Sequence, residues 1–269
     1  MSDLWTAVLL GIVEGATEFL PVSSTGHLIV AGELLNFSGP KAASFEIFIQ
    51  LGAILAVVVL YWRRFLGLIP LGSSASGRGQ GFYGFRGLVL LGLTTLPALV
   101  VGLVIHRFIK EHLFTPLTVA IALATGAIAI LLAERLKPRP SVGTLDQLGY
   151  GTALTIGLFQ CVSMWPGISR AAATIVGGMI SGLDRRVATE YSFLAAVPVM
   201  IAATSYDMYK AWNHLSVSDF WFFAVGFVVS FAVAAAAVKT FIRLVQRWTL
   251  APYAYYRLAI APIIYAVLR

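Results

Sequence analysis

The sequence predicts an all-α integral membrane protein with six transmembrane helices, two re-entrant helical hairpins and an inverted-topology internal repeat. Three observations predict it. Of the 269 residues, 59% are hydrophobic and only 12% charged, where soluble chains average about a quarter charged. Apolar runs near the roughly 20 residues that cross about 30 Å of hydrocarbon recur along the whole chain. Two of the apolar segments break in the middle, at Pro21-Val22-Ser23-Ser24 and at Pro166-Gly167-Ile168-Ser169. No stretch remains for a soluble domain, so residues 1–269 read as a single membrane domain.

The elements follow in order. Segment 4–35 is the first broken hairpin, followed by spans at 46–62, 87–106 and 116–133; segment 151–182 is the second, followed by spans at 190–209, 221–242 and 251–268. Proline ends or kinks a helix and frees backbone groups, which hydrocarbon tolerates only where they face protein or a watery cavity. Both breaks should therefore line a cavity. A broken segment and three spans recur in two repeats, about 1–136 and about 151–269, and Ser24 and Ser169 stand 145 residues apart. An odd number of crossings per repeat places the two copies in opposite orientations.

Charge orients this layout. One side collects twelve Lys and Arg, among them Arg63, Arg64, Arg135, Arg185 and Arg243, against five on the other, including Lys41 and Arg107. The richer side is cytoplasmic, and both termini face the periplasm or exterior. The Ser and Gly run at Leu71–Gly81 reads as a flexible cytoplasmic connection. The stretch with His106, Glu111 and His112 reads as a hydrated turn without a role.

Several classes are excluded. The net charge of +7 is scattered between apolar runs instead of forming one stripe, which argues against nucleic acid. Cys161 has no second cysteine or nearby histidine for a disulfide or metal site. Met1–Thr6 lacks a basic flank and Glu14 and Glu18 follow, so no cleaved signal peptide is expected.

The chemistry gathers at the breaks. Glu14 and Glu18 lie four apart on one helix face, where like charges need a cation, a shared proton or water. Ser23, Ser24 and Thr25 follow Pro21, and one of these hydroxyls is a natural N-cap for the run to Leu35. That helix N-terminus offers free N–H groups to a phosphate. His27 lies within one turn and suits proton exchange near neutral pH. At the second break Ser169 caps the next helix, while the planar fork of Arg170 suits two phosphate oxygens. Charged groups at membrane depth cost roughly 2.5–3.5 kcal/mol each on translocon scales, which favours a functional cavity over a scaffold without a ligand.

With these residues in place, the chain resembles the bacterial undecaprenyl-diphosphate phosphatase family, also known as the bacitracin resistance protein family, over nearly its whole length. Residues 14–27, Glu-Gly-Ala-Thr-Glu-Phe-Leu-Pro-Val-Ser-Ser-Thr-Gly-His, match its first signature. The second, Pro-Gly-x-Ser-Arg-Ser-Gly-Ala-Thr, reads here Pro166-Gly167-Ile168-Ser169-Arg170-Ala171-Ala172-Ala173-Thr174. Ala171 removes a hydroxyl and Ala172 narrows the space near the backbone. The resemblance implies hydrolysis of undecaprenyl diphosphate to the monophosphate and phosphate in the bacterial plasma (inner) membrane, at a site open to the periplasm. It also implies a divalent cation, Mg²⁺ or Ca²⁺.

In the mechanism we expect, Arg170, Thr174 and the N-terminal N–H groups of the two broken helices hold the terminal phosphate while Ser24 attacks. Ser23, Thr25, Gly26 and Ser169 complete the binding surface. His27 acts as base or acid, and Glu14 and Glu18 orient it or hold the metal. Attack by Ser23 or directly by water fits the same residues. The rival class is an inverted-repeat transporter or flippase for a phosphorylated lipid. A homodimer is the oligomer allowed for.

Overall fold

A computed structural model describes residues 2–69, 81–211 and 219–268, and the connection expected at Leu71–Gly81 falls almost wholly outside them. The described residues form helices α1 (Ser2–Thr17), α2 (Ser24–Leu34), α3 (Pro40–Leu60), α4 (Trp62–Leu68), α5 (Gly84–His112) and α6 (Pro116–Leu136). The order continues with α7 (Tyr150–Val162), α8 (Arg170–Ile180), α9 (Arg185–Ala211), α10 (Phe220–Val245) and α11 (Ala251–Leu268). The chain is thus an all-α integral membrane protein. Five helices, α3, α5, α6, α9 and α10, are long and apolar enough to cross a membrane. The outward surface carries Leu103, Val104, Phe220, Trp221 and Ile263, all more than half exposed, as suits a molecule whose solvent is lipid.

The helix ends follow local chemistry. Pro40 and Pro116 sit in the first turns of α3 and α6, where no amide partner is lost. Thr115 and Thr118 form a reciprocal capping box at the start of α6. Helix α5 runs on to His112, so the turn expected from His106 onward is still helical, and the His112 ring stacks on Phe108 with centroids 4.6 Å apart. Pro97 and Pro198 are accommodated inside α5 and α9.

Helix α9 is central: 67% of its apolar window is buried, against 28% for α5. Around it Phe19, Ile175, Tyr191, Phe193, Val238 and Phe241 form one core. At one end Glu134 locks α6, α9 and α11 together. It accepts from Arg185 at 2.8 and 2.7 Å, from Lys137 at 2.9 Å and from the Leu250 amide at 2.8 Å.

Helix α1 lies along α10 and α7 lies along α5. Both pairs approach closely because a glycine faces a neighbouring carbonyl. A Cβ on Gly15 would lie 2.5 Å from the Ser230 carbonyl oxygen, and one on Gly157 would lie 2.7 Å from that of Leu93. We expect Gly15→Ala and Gly157→Ala each to lower stability by about 1–3 kcal/mol through overpacking. Thermal unfolding in detergent checks this, and unchanged midpoints would contradict the close approach.

Candidate active site

The two breaks are built alike. Ser23 and Ser169 both sit at positive φ, 71° and 75°, a region that non-glycine residues occupy only when their surroundings enforce it. Ser23 Oγ accepts from the Gly26 amide at 3.4 Å, and Ser169 Oγ accepts from the Ala172 amide at 3.2 Å. The capping hydroxyl at the first break is therefore Ser23, and Ser24 is the first helical residue. The caps correspond as Ser23 to Ser169, one residue away from the expected match of Ser24 to Ser169. Ser24 then stands where the second half has Arg170.

Glu18 joins the halves. Its Oε2 accepts from Ser24 Oγ at 2.5 Å, and its Oε1 accepts from Arg170 Nη2 at 3.1 Å. Glu18 and Ser24 are each 8% exposed, so this hydroxyl–carboxylate–guanidinium chain is shielded and its charge-assisted bonds are strong. Arg170 also donates from Nη1 to the Ser192 carbonyl at 3.2 Å, touches Met200 Sδ at 3.4 Å and lies over the Phe19 ring, 5.3 Å from its centroid. Thr174 is fully buried. It donates to the Arg170 carbonyl at 2.9 Å and meets Ser192 Oγ at 2.6 Å. It therefore braces Arg170, and the structure does not bring its hydroxyl to the Ser24–Glu18 pair.

His27 is likewise engaged elsewhere. Its Nδ1 lies 2.7 Å from the Ser23 carbonyl and its Nε2 lies 2.6 Å from Tyr256 Oη, with the two rings stacked at 5.6 Å. A carbonyl can only accept, so Nδ1 carries the proton and, in the neutral ring, Nε2 accepts from Tyr256. Thr25 is half-buried and its side chain makes no hydrogen bond to a described residue, while Gly26 faces Ile264 and Leu123. Ser169 Oγ also reaches the Leu20 carbonyl at 3.4 Å, bridging the breaks.

Two buried side-chain atoms here lack a partner among the described residues: Glu14 Oε1 and Arg170 Nε. The amides of Ser24 and Thr25 at one tip, and of Arg170 and Ala171 at the other, also have no acceptor among the described residues. Buried side-chain atoms left this way are uncommon, while the first amides of any helix are open to an anion. Of the two side-chain atoms, one is a guanidinium donor and the other a carboxylate oxygen. The arrangement can hold a phosphate beside an activated hydroxyl. Among the described residues no cluster of three or more His, Cys, Asp or Glu could hold a metal unaided.

The sequence reading missed Arg257, Tyr256, Ser192 and Met200. Arg257 carried the signal that singled out Arg170, a cation inside an apolar run. It is fully buried and donates to the carbonyls of Pro21, Gly167 and Ile168 in the breaks and of Ala122 and Leu123 in α6. Tyr256, Ser192 and Met200 belong to common span chemistry and carried no such signal.

Comparison with known proteins adds a family. The model of the bacitracin resistance protein BacA matches residues 7–263. A protein named undecaprenyl-diphosphatase from Nitratidesulfovibrio vulgaris strain DP4 is 62% identical over 268 residues, covering 98% of each chain. Proteins of the same name from Maridesulfovibrio salexigens and Solidesulfovibrio magneticus are 60% and 55% identical, again over 98% of each chain.

Glu18 and Arg170 should be energetically coupled. We expect Glu18→Gln to strand a buried guanidinium and lower stability by about 3–5 kcal/mol. Adding Arg170→Met should recover part of that loss. A double-mutant cycle from unfolding in detergent tests the pair, and additive effects would contradict it.

Proposed function

The chain belongs to the bacitracin resistance protein family, and from that premise we propose that it hydrolyses undecaprenyl diphosphate to undecaprenyl phosphate and inorganic phosphate at its two hairpin tips. The observation that carries this reading is Glu18, which holds the Ser24 hydroxyl with one oxygen and Arg170 with the other. A membrane enzyme suits the substrate. At about 0.8 kcal/mol per buried CH₂, a long prenyl tail stays in the bilayer, so the headgroup is met there.

The terminal phosphate takes the spare donors: Arg170 Nε and the uncapped amides of the two tips, with Thr25 and Gly26 along its edge and the caps Ser23 and Ser169 shaping the backbone. Competition by this phosphate for the guanidinium frees the Glu18 carboxylate. Ser24 Oγ attacks the terminal phosphorus, its proton passes to Glu18, and the bond to the bridging oxygen breaks, releasing undecaprenyl phosphate. Water then attacks the phosphoserine. Ser24 recovers its proton from Glu18, and inorganic phosphate leaves with the oxygen of water. An acid–base role for His27 falls to Nε2 and requires Tyr256 to give it up. Thr174 acts through Arg170, whose carbonyl it braces.

A divalent cation, Mg²⁺ or Ca²⁺, fits in one way. Glu14, with its unpartnered buried oxygen, and Glu18 would hold it, with the diphosphate supplying further oxygens. When bound, it would neutralise charge on the phosphate oxygens.

In this reading the chain crosses the bacterial plasma membrane six times, α11 included, and α1–α2 and α7–α8 are the re-entrant hairpins. The repeats are about 1–136 and about 151–269, in opposite orientations. Their exchange of partners supports this, since α1 lies on α10 as α7 lies on α5, and α2 touches α11 as α8 touches α6. The charge asymmetry then opens the site to the periplasm or exterior.

Phosphate release from farnesyl or undecaprenyl diphosphate by purified protein tests the reading. Wild type should turn over with Mg²⁺ or Ca²⁺, and folded Ser24→Ala and Arg170→Ala should each lose at least about 10³-fold in kcat. A well-folded wild type that releases no phosphate would refute hydrolysis and leave a carrier of phosphorylated lipid.

A further inference from the structure

Arg257 has no exposed surface, and no carboxylate pairs with it among the described residues. Its contacts are all backbone carbonyls. Nε donates to Leu123 at 3.1 Å, Nη1 to Pro21 at 3.2 Å and Ile168 at 2.8 Å, and Nη2 to Ala122 at 3.2 Å and Gly167 at 2.9 Å. A guanidinium has five N–H donors, so none is spare. Such an arginine cannot also bind phosphate in this geometry, in contrast to Arg170 with its unpartnered Nε.

The acceptors give the arrangement its meaning. Pro21 lies two residues before the cap Ser23, and Gly167 and Ile168 lie directly before the cap Ser169. One planar fork thus grips both tips, with Glu18 and Ser24 on either side of the first grip and Arg170 just past the second. Helix α6 makes room for it at Gly126, where any Cβ would collide with Nη2. The positive φ of both caps shows that the tips are held in a conformation the chain would not choose alone.

We propose that Arg257 is a positioning residue for the phosphatase reaction: its guanidinium ties the two hairpin tips together and so sets the spacing between the nucleophile pair, Ser24 and Glu18, and the phosphate-binding Arg170. The inference rests on the proposed function for its catalytic consequence and on the hydrogen bonds alone for its structural one. Lysine keeps the charge but has three donors on a single nitrogen, which cannot span five carbonyls on three segments. Misplacement of reacting groups by about 1 Å is enough to cost about 10²-fold in rate.

The test has two readouts on Arg257→Lys, with Gly126→Ala as a second variant that crowds the guanidinium without removing it. The first is steady-state release of phosphate from farnesyl diphosphate by detergent-purified protein. We expect kcat to fall about 10²-fold in Arg257→Lys and about 10-fold in Gly126→Ala, with KM within about threefold of wild type. The second is the distance between spin labels at Ile12→Cys and Val162→Cys in a Cys161→Ala background, which reports the two hairpins without substrate. Wild type should give one narrow distribution and Arg257→Lys a broadened or shifted one. Wild-type kcat in folded Arg257→Lys overturns the proposal, as does an unchanged distance distribution, or a rate loss that only follows the unfolded fraction. An inactive wild type would refute hydrolysis, while the spin-label distances would still decide the clamp.

Discussion

Hydrocarbon offers no partner to a backbone amide or carbonyl, and each one left bare at membrane depth costs several kcal/mol. A helix that breaks there can exist only if the protein supplies partners. Here the carbonyls of Pro21, Gly167 and Ile168 are taken by Arg257, while the Gly26 and Ala172 amides are taken by the caps Ser23 and Ser169. The Ser24, Thr25, Arg170 and Ala171 amides have no acceptor among the described residues. If the breaks lie at membrane depth, as proposed, the same constraint leaves donors at two helix N-termini that favour an anion.

Glu18 connects Arg170 to the Ser24 hydroxyl, the nucleophile of the proposed reaction. It neutralises Arg170 across the interface of the halves and orients Ser24 at hydrogen-bond distance. Stability and chemistry make opposite demands on it. The ion pair stabilises both buried charges, and in the proposed reaction the arriving phosphate displaces it. Helix α9 supplies the back wall through Ser192 and Met200, and Thr174 links that wall to the Arg170 backbone. Arg170 is therefore held from three sides and still keeps one buried donor free.

The fold was largely legible in the sequence because membrane helices are specified by apolar length, and the breaks by Pro21 and Pro166. Among the described residues, the five helices long and apolar enough to cross a membrane overlap five of the six expected spans, the sixth coincides with α11, and α5 runs on to His112. That Glu18 and Arg170 needed partners was legible too, since both are charged residues inside apolar runs. Their partnerships were not. Whether Ser23 or Ser24 caps α2 depends on a single backbone angle, and adjacent hydroxyls look alike in a sequence. His27 reads as a base for serine by proximity, yet its ring turns to Tyr256, far away in the chain. Long-range pairs such as Glu18–Arg170 and Arg257 with the two tips arise from the packing of the halves against each other, which periodicity does not encode.

In the proposed reaction Ser24 takes the phosphate, with Glu18 and Arg170 beside it. The most direct measurement is a rapid acid quench of wild type turning over farnesyl diphosphate labelled in its terminal phosphate, followed by peptide mapping. Attack by Ser24 gives transient label on the peptide carrying Ser24, appearing before free phosphate and decaying as phosphate is released. Complete turnover with no protein-bound label at any quench time would contradict it and assign the attack to water.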